Sequence, residues 1–379
     1  MAGIYIHIPF CLSKCGYCDF FSKCQTNYSP DEYATSRIIP EFKNWENFIS
    51  THQINSVFFG GGTPSLLSPK TIKQIIKLTS ADPETAEITI ECNPDTLSFE
   101  YLRDIKNAGI NRISIGVQSF DQNILNILQR RHNPDQVFKA ADWCKKLDLN
   151  WSLDLIYGSP QESIESWKNT VQKAIELNPD HISAYALTLE PNVPLARKIE
   201  KGIYPEIDED FEAEKYIIAD QLLTKSGYIW YEISNWSKPG KESIHNLNYW
   251  ENGEWIGIGP SAHSHIFKQE SNNQTKQELR IWNTREMEYS SESEIITNKN
   301  HQLEEIMLMC RLNRPIQVSK FTPKIIAQVK KEGLLNSNNT PTIKGRLLND
   351  LLIQELDSNR ACPRFNTTQC LACPSCIMD

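Results

Sequence analysis

The sequence predicts an α/β protein: a partial parallel (β/α)6 barrel followed by a smaller helical or winged-helix module. Three observations predict it. Short, charge-poor β-like runs alternate with longer amphipathic stretches through the first two thirds of the 379 residues. Polar residues and glycines gather just after those runs, where a parallel barrel places its chemistry. Past about residue 225 the alternation stops, and a helical pattern takes over from residue 301.

In chain order, strands are expected at 4–8, 55–59, 87–91, 112–115, 151–157 and 181–189. Helices are expected at 69–79, 99–107, 122–128, 134–147 and 164–177. Strand then helix, repeated, reads as parallel βα units. Strands poor in charge suit a sheet covered by helices. Stretches 228–236 and 248–259 are aromatic-rich and punctuated by glycine, and the polar stretch 269–300 is expected to form loops. Helices follow at 301–311, 323–331 and 344–356, with a small wing near 333–344. This divides the chain into a barrel (1–225), a connecting region (226–300), a helical C-terminal module (301–357) and a cysteine-rich tail (358–379).

Composition limits the function classes. Hydrophobic residues make up 40% and charged residues 23%, which allows a normal core and excludes global disorder. The net charge of −8 argues against a protein that coats nucleic acid, and no nucleic-acid partner is expected. Residues 1–10 lack the basic and apolar pattern of a leader. No window approaches the ~18 apolar residues of a spanning helix. A cytoplasmic location is expected, with peripheral membrane contact left open. The 11 cysteines are unevenly placed, four within residues 1–24 and four within 362–376. In a reducing compartment such clusters read as ligands rather than disulfides.

Cys11-Leu-Ser-Lys-Cys15-Gly-Tyr-Cys18 directly follows the first strand. Three thiolates from one loop can ligate three irons of a 4Fe–4S cluster, whereas simple electron-transfer clusters use four cysteines. The fourth iron would be open for chemistry, with Phe10 and Tyr17 shielding the loop. The competing reading is a zinc site, with His7 or Cys24 as fourth ligand. Phe59-Gly-Gly-Gly-Thr-Pro64 follows the second strand, and its glycines permit close backbone approach to a ligand or simply a tight turn.

Together these motifs resemble the radical S-adenosylmethionine superfamily. Further motifs narrow the resemblance: Tyr5-Ile-His-Ile-Pro-Phe10, Cys18-Asp-Phe-Phe21, Glu91-Cys-Asn-Pro-Asp95, Arg112-Ile-Ser-Ile-Gly-Val-Gln-Ser-Phe120, Asp154-Leu-Ile-Tyr-Gly158, His245-Asn-Leu-Asn-Tyr-Trp250 and Gly257-Ile-Gly-Pro-Ser-Ala-His263. Over residues 3–357 the chain resembles the oxygen-independent coproporphyrinogen III oxidase family, including its haem-chaperone branch.

The resemblance implies cluster ligation by Cys11, Cys15 and Cys18. It implies cleavage of S-adenosylmethionine to a deoxyadenosyl radical. Tyr5, Tyr17, Gly61, Gly62, Thr63, Glu91, Gln118, Arg130 and Asp154 match positions that hold one or two cofactor molecules. Arg130 is assigned ahead of its neighbour Arg131; an arginine there can clamp a carboxylate. His245, Tyr249 and Trp250 match the segment implicated in haem binding, with His263 a second candidate ligand. His7 is expected to support the cysteine loop.

Two departures separate the branches. The oxidases resemble Cx3Cx2CxC, but here Phe20 occupies the last position. They also carry an N-terminal extension, whereas the first motif cysteine here is already residue 11. Both favour the chaperone branch, which implies haem as cargo, haem-requiring (respiratory) recipients and an electron donor. The alternatives are the decarboxylating oxidase, or a radical enzyme acting on RNA or another substrate. The tail, with Cys362, Cys370, Cys373 and Cys376, has ligand-like Cx2Cx2C spacing for a second cluster or zinc ion. No family motif covers it.

Overall fold

A computed structural model describes residues 1–24, 27–269 and 276–357. The four tail cysteines lie outside the described residues.

The first six strands are β1 (Ala2–Ile8), β2 (Ile54–Gly61), β3 (Glu87–Cys92), β4 (Arg112–Gln118), β5 (Asn150–Tyr157) and β6 (His181–Ala186). They pair in parallel in sequence order. Strand periodicity sorts their side chains. In β1, Ile4, Ile6 and Ile8 enter the main hydrophobic core. Gly3, Tyr5 and His7 take the opposite face, against Ser56, Gly60 and Gly61 of β2. The helices over the outer face carry the matching apolar stripe. In Pro134–Lys146 it is Val137, Ala140, Ala141 and Cys144, all buried. Asn133 and Gln136 close a capping box at its start, and Lys145 and Lys146 lie in its last turn. Phe99–Ala108 stops at Gly109, whose φ of 116° only glycine adopts readily.

Six more strands complete a twelve-stranded sheet: β7 (Ile229–Glu232), β8 (Asn235–Ser237), β9 (Glu254–Ile258), β10 (His263–Gln269), β11 (Lys276–Asn283) and β12 (Ser291–Ile295). The order is β12-β11-β10-β9-β1-β2-β3-β4-β5-β6-β8-β7. β9 extends the parallel set beside β1, and the remaining strands are antiparallel additions at both edges. The expectation of loops over 269–300 is therefore corrected. β11 alternates Leu279 and Ile281 with polar residues, and β12 is exposed throughout. Backbone pairing such as Leu279↔Ile295 holds them, and their polar side chains conceal it.

The C-terminal helices Asn298–Arg311, Pro323–Lys331, Ile343–Leu347 and Asn349–Leu356 enclose a core of their own around Met307, Cys310, Val329, Leu334 and Leu352. Leu335 and Pro341 form an antiparallel bridge where the wing was expected. Among the described residues, no helix is long and apolar enough to cross a membrane.

Candidate functional site: a cysteine loop at the strand ends

Residues 9–23 fold back on themselves just beyond β1. Cys11 N–H donates to the Lys23 carbonyl (3.1 Å) and Lys23 N–H to the Pro9 carbonyl (2.9 Å). The loop is pinned below by His7. Its Nε2 donates to the Phe21 carbonyl (2.8 Å), so Nδ1 is left to accept from the Tyr5 hydroxyl (3.1 Å). Burial lowers the His7 pKa to about 4, so the ring is neutral. Both its nitrogens are engaged, which leaves no lone pair for a zinc ion. His7 supports the loop, as expected.

The glycine run has a steric origin. A Cβ on Gly61 would lie 2.6 Å from the His7 ring, at a φ of 104°. A Cβ on Gly62 would lie 2.6 Å from the Phe10 carbonyl oxygen, and its N–H donates to Ile8 (2.9 Å). The second strand end and the cysteine loop therefore touch backbone to backbone.

Cys11, Cys15 and Cys18 are all partly exposed. Burial first, then neighbouring thiols, push Cys11 up and Cys18 up to about 12. Such a group favours thiolates only when a cation offsets their mutual repulsion. Among the described residues, no three His, Cys, Asp or Glu side chains close on one ion. Ligands that each bind a separate iron need not do so. Cys24 is exposed beside Cys11, whereas Cys92, Cys144 and Cys310 are buried.

Arg130 bonds to this loop, and Arg131 lines the same cleft beside Leu12, Ser13 and Cys15 without a bond to its sulfurs. Arg130 Nη1 donates to Cys15 Sγ (3.4 Å), and Nη2 donates to the Gly116 carbonyl (2.7 Å) and Asn93 Oδ1 (2.5 Å). Tyr17 lies against it, its hydroxyl pKa pushed up mainly by burial. Arg131 is half exposed and pairs with Asp95 (3.2 Å).

Beneath lie Glu91 and Asp154. Burial and then Asp154 push the Glu91 carboxyl up to about 8, against the pull of the Gly61 backbone N–H. Asp154 accepts from Ser114 (2.6 Å) and Ser183 (2.8 Å), and burial raises its pKa despite them. Gln118 sits at a bulge where β4 shifts register on β5, with a left-handed φ of 63°. Its Oε1 and Arg130 Nε are buried without partners. Unpaired buried polar atoms beside a strained residue fit a site built to receive a polar ligand. Asn93, Ser114 and Ser183 escaped sequence reasoning. Each lies in or beside a strand, where only the fold reveals what its polar group meets.

His245, Tyr249 and Trp250 lie elsewhere. The helix Ile244–Trp250 packs at the beginnings of the strands. Glu87, first residue of β3, accepts from Ile244 N–H (3.1 Å) and His245 N–H (3.0 Å). The His245 ring pairs with Ser56 (2.9 Å) and Tyr249 (2.7 Å) and stacks on Phe58. Burial lowers its pKa to about 3. In this seat both its nitrogens are engaged. His263 opens β10 and stacks on Trp282. The predicted cofactor residues are thus brought together at one end of the barrel, and the predicted haem segment lies at the other.

A parallel barrel with three loop cysteines at its strand ends defines the class, a radical S-adenosylmethionine protein, and the Radical SAM superfamily model matches residues 5–174. The Heme chaperone HemW of Buchnera aphidicola subsp. Schizaphis graminum is 37% identical over 325 residues, covering 84% of this chain and 85% of that protein. The chain belongs to the HemW family. The HemW protein of Buchnera aphidicola subsp. Acyrthosiphon pisum is 41% identical, covering 70% of each chain. Among solved structures, coproporphyrinogen III oxidase (HemN) from Escherichia coli has a TM-score of 0.75 at 20% identity, covering 94% of this chain and 90% of that one. That likeness is one of fold.

Proposed function

We propose that this protein is a cytoplasmic haem chaperone that binds haem and delivers it to haem-requiring respiratory proteins, with a 4Fe–4S cluster and S-adenosylmethionine at the cysteine loop. The observation that carries this reading is the breadth of the likeness to a Heme chaperone HemW, 84% of this chain against 85% of the relative. Phe20, where the oxidases resemble a fourth cysteine, supports it over decarboxylation.

In this reading Cys11, Cys15 and Cys18 hold the cluster. Arg130 takes the carboxylate of S-adenosylmethionine, which supplies radical chemistry when bound. Glu91, Gln118 and Asp154 receive its polar groups, with Tyr5, Tyr17, Gly61, Gly62 and Thr63 around them. Haem engages His245, Tyr249 or Trp250. Since the His245 ring is paired on both sides, ligation through it requires the helix Ile244–Trp250 to leave its seat. The tail cysteines Cys362, Cys370, Cys373 and Cys376 hold a second metal site.

Anaerobically reconstituted protein tests the reading. A Soret shift on haem titration is expected, with transfer to a haem-free recipient. Conversion of coproporphyrinogen to protoporphyrinogen with reductant and cofactor would overturn it. Cys373→Ser is expected to remove iron or zinc without touching the iron of the loop triplet.

A further inference from the structure

Asn93 stands between two groups that reach the loop sulfurs. Its Nδ2 donates to Thr63 Oγ1 (3.1 Å), and its Oδ1 accepts from Arg130 Nη2 (2.5 Å). Thr63 in turn donates to Cys11 Sγ (3.6 Å), and Arg130 Nη1 to Cys15 Sγ (3.4 Å).

The orientation of the amide follows from chemistry. A guanidinium only donates, so the atom of Asn93 that faces it is oxygen. The Asn93 nitrogen then faces Thr63 and occupies a lone pair of its hydroxyl. The Thr63 proton is left to point at Cys11. Arg130 is held from a second side by the Gly116 carbonyl (2.7 Å), which fixes the guanidinium plane toward Cys15. One side-chain amide thus aims two donors at two different sulfurs.

From this arrangement we infer that Asn93 is a positioning residue that sets the reduction potential of the cluster at Cys11, Cys15 and Cys18. The inference rests on the reading that this triplet holds the cluster. Hydrogen bonds to ligating sulfurs are among the determinants of cluster potential. A donor offsets the negative charge that grows on the sulfurs when the cluster gains an electron. Asn93, by holding both donors, makes the cluster easier to reduce.

The test is a redox titration, followed by electron paramagnetic resonance, of reconstituted full-length protein. Asn93→Leu, which keeps the volume and removes both polar contacts, is expected to lower the reduced-to-oxidised ratio about tenfold at fixed poise, ~59 mV for one electron. Thr63→Val is expected to shift the potential the same way, and Thr63→Ser to restore it. The double variant Asn93→Leu/Thr63→Val is expected to shift less than the sum of the two. Asn93→Asp turns the donor that faces Thr63 into an acceptor. Should Asn93→Leu fail to load iron, Asn93→Asp measured with and without Thr63→Val separates the lost donor from the added charge. Four irons and an unchanged potential in Asn93→Leu, or a purely additive Asn93→Asp effect, overturn the inference while leaving the cluster reading intact. A wild-type triplet that takes up no iron overturns both.

Discussion

The Arg311 guanidinium carbon lies 4.2 Å from the centroid of the Trp250 ring. Arg311 ends the first C-terminal helix, and Trp250 ends the helix that sits at the strand beginnings. Arg311 Nη2 also reaches Glu232 Oε2 (3.4 Å), which is fully buried at the end of β7. One cation therefore joins the C-terminal helices, the His245 helix and the sheet edge.

Removing that cation leaves Glu232 buried without its charge partner, so Arg311→Ala is expected to cost about 3–5 kcal/mol of stability. Arg311→Lys recovers little, because an ammonium cannot lie flat on the indole and still fork toward Glu232. Adding Glu232→Gln to Arg311→Ala restores part of the loss. Denaturant unfolding of the three variants measures this.

Glu91 makes stability fall with rising pH. Its folded pKa of about 8 lies above the ordinary 4.5, so between those values the folded state holds a proton that the unfolded state has released. Stability is therefore lost as pH climbs through that window. In Glu91→Gln this contribution vanishes, and the variant is expected to gain on wild type from pH 5 to pH 8. Thermal midpoints across that range read the difference.

His245 acts in the opposite direction. Its folded pKa of about 3 lies below the ordinary 6.5, so the unfolded state binds the extra proton. Stability is lost as pH falls from 6.5 toward 3. His245→Ala removes that acid sensitivity, but it strips Ser56 and Tyr249 of a buried partner, at about 1–3 kcal/mol for each group left unsatisfied. A pH series of unfolding curves separates the two effects.

Gly62→Ala is expected to lower stability by about 1–3 kcal/mol through overpacking. It displaces the Phe10 carbonyl and with it the approach to Cys11. Iron uptake should fall in parallel. An unchanged iron count in a destabilised Gly62→Ala protein would separate the glycine run from the cysteine loop.

Much of this was legible in the sequence. The parallel strands β2 to β5 announce themselves because each is short, apolar and followed by an amphipathic helix, and the cysteine spacing is local. Arg130 was assigned ahead of Arg131 on the resemblance alone, and the fold supplies the physical difference, a bond to Cys15 for one and to Asp95 for the other. β12 could not be read, since Ser-Glu-Ser-Glu-Ile carries no apolar alternation and is held by backbone pairing and the Arg280–Glu294 ion pair. Asn93 and Ser183 act through partners 30 and 29 residues away, a distance that no spacing rule spans. The segment from His245 was legible as a motif but not as a place. That it lies at the strand beginnings depends on Glu87 and Ser56, far away in the chain.

The closure of the cysteine loop rests on the His7 ring, the Gly62 amide and the backbone of residues 9–23, with Cys11 and Cys15 adding one accepted hydrogen bond each. Most of what orders this loop therefore comes from groups other than its proposed ligands, so replacing a single cysteine by serine is expected to remove iron while leaving the loop's backbone anchored to the barrel.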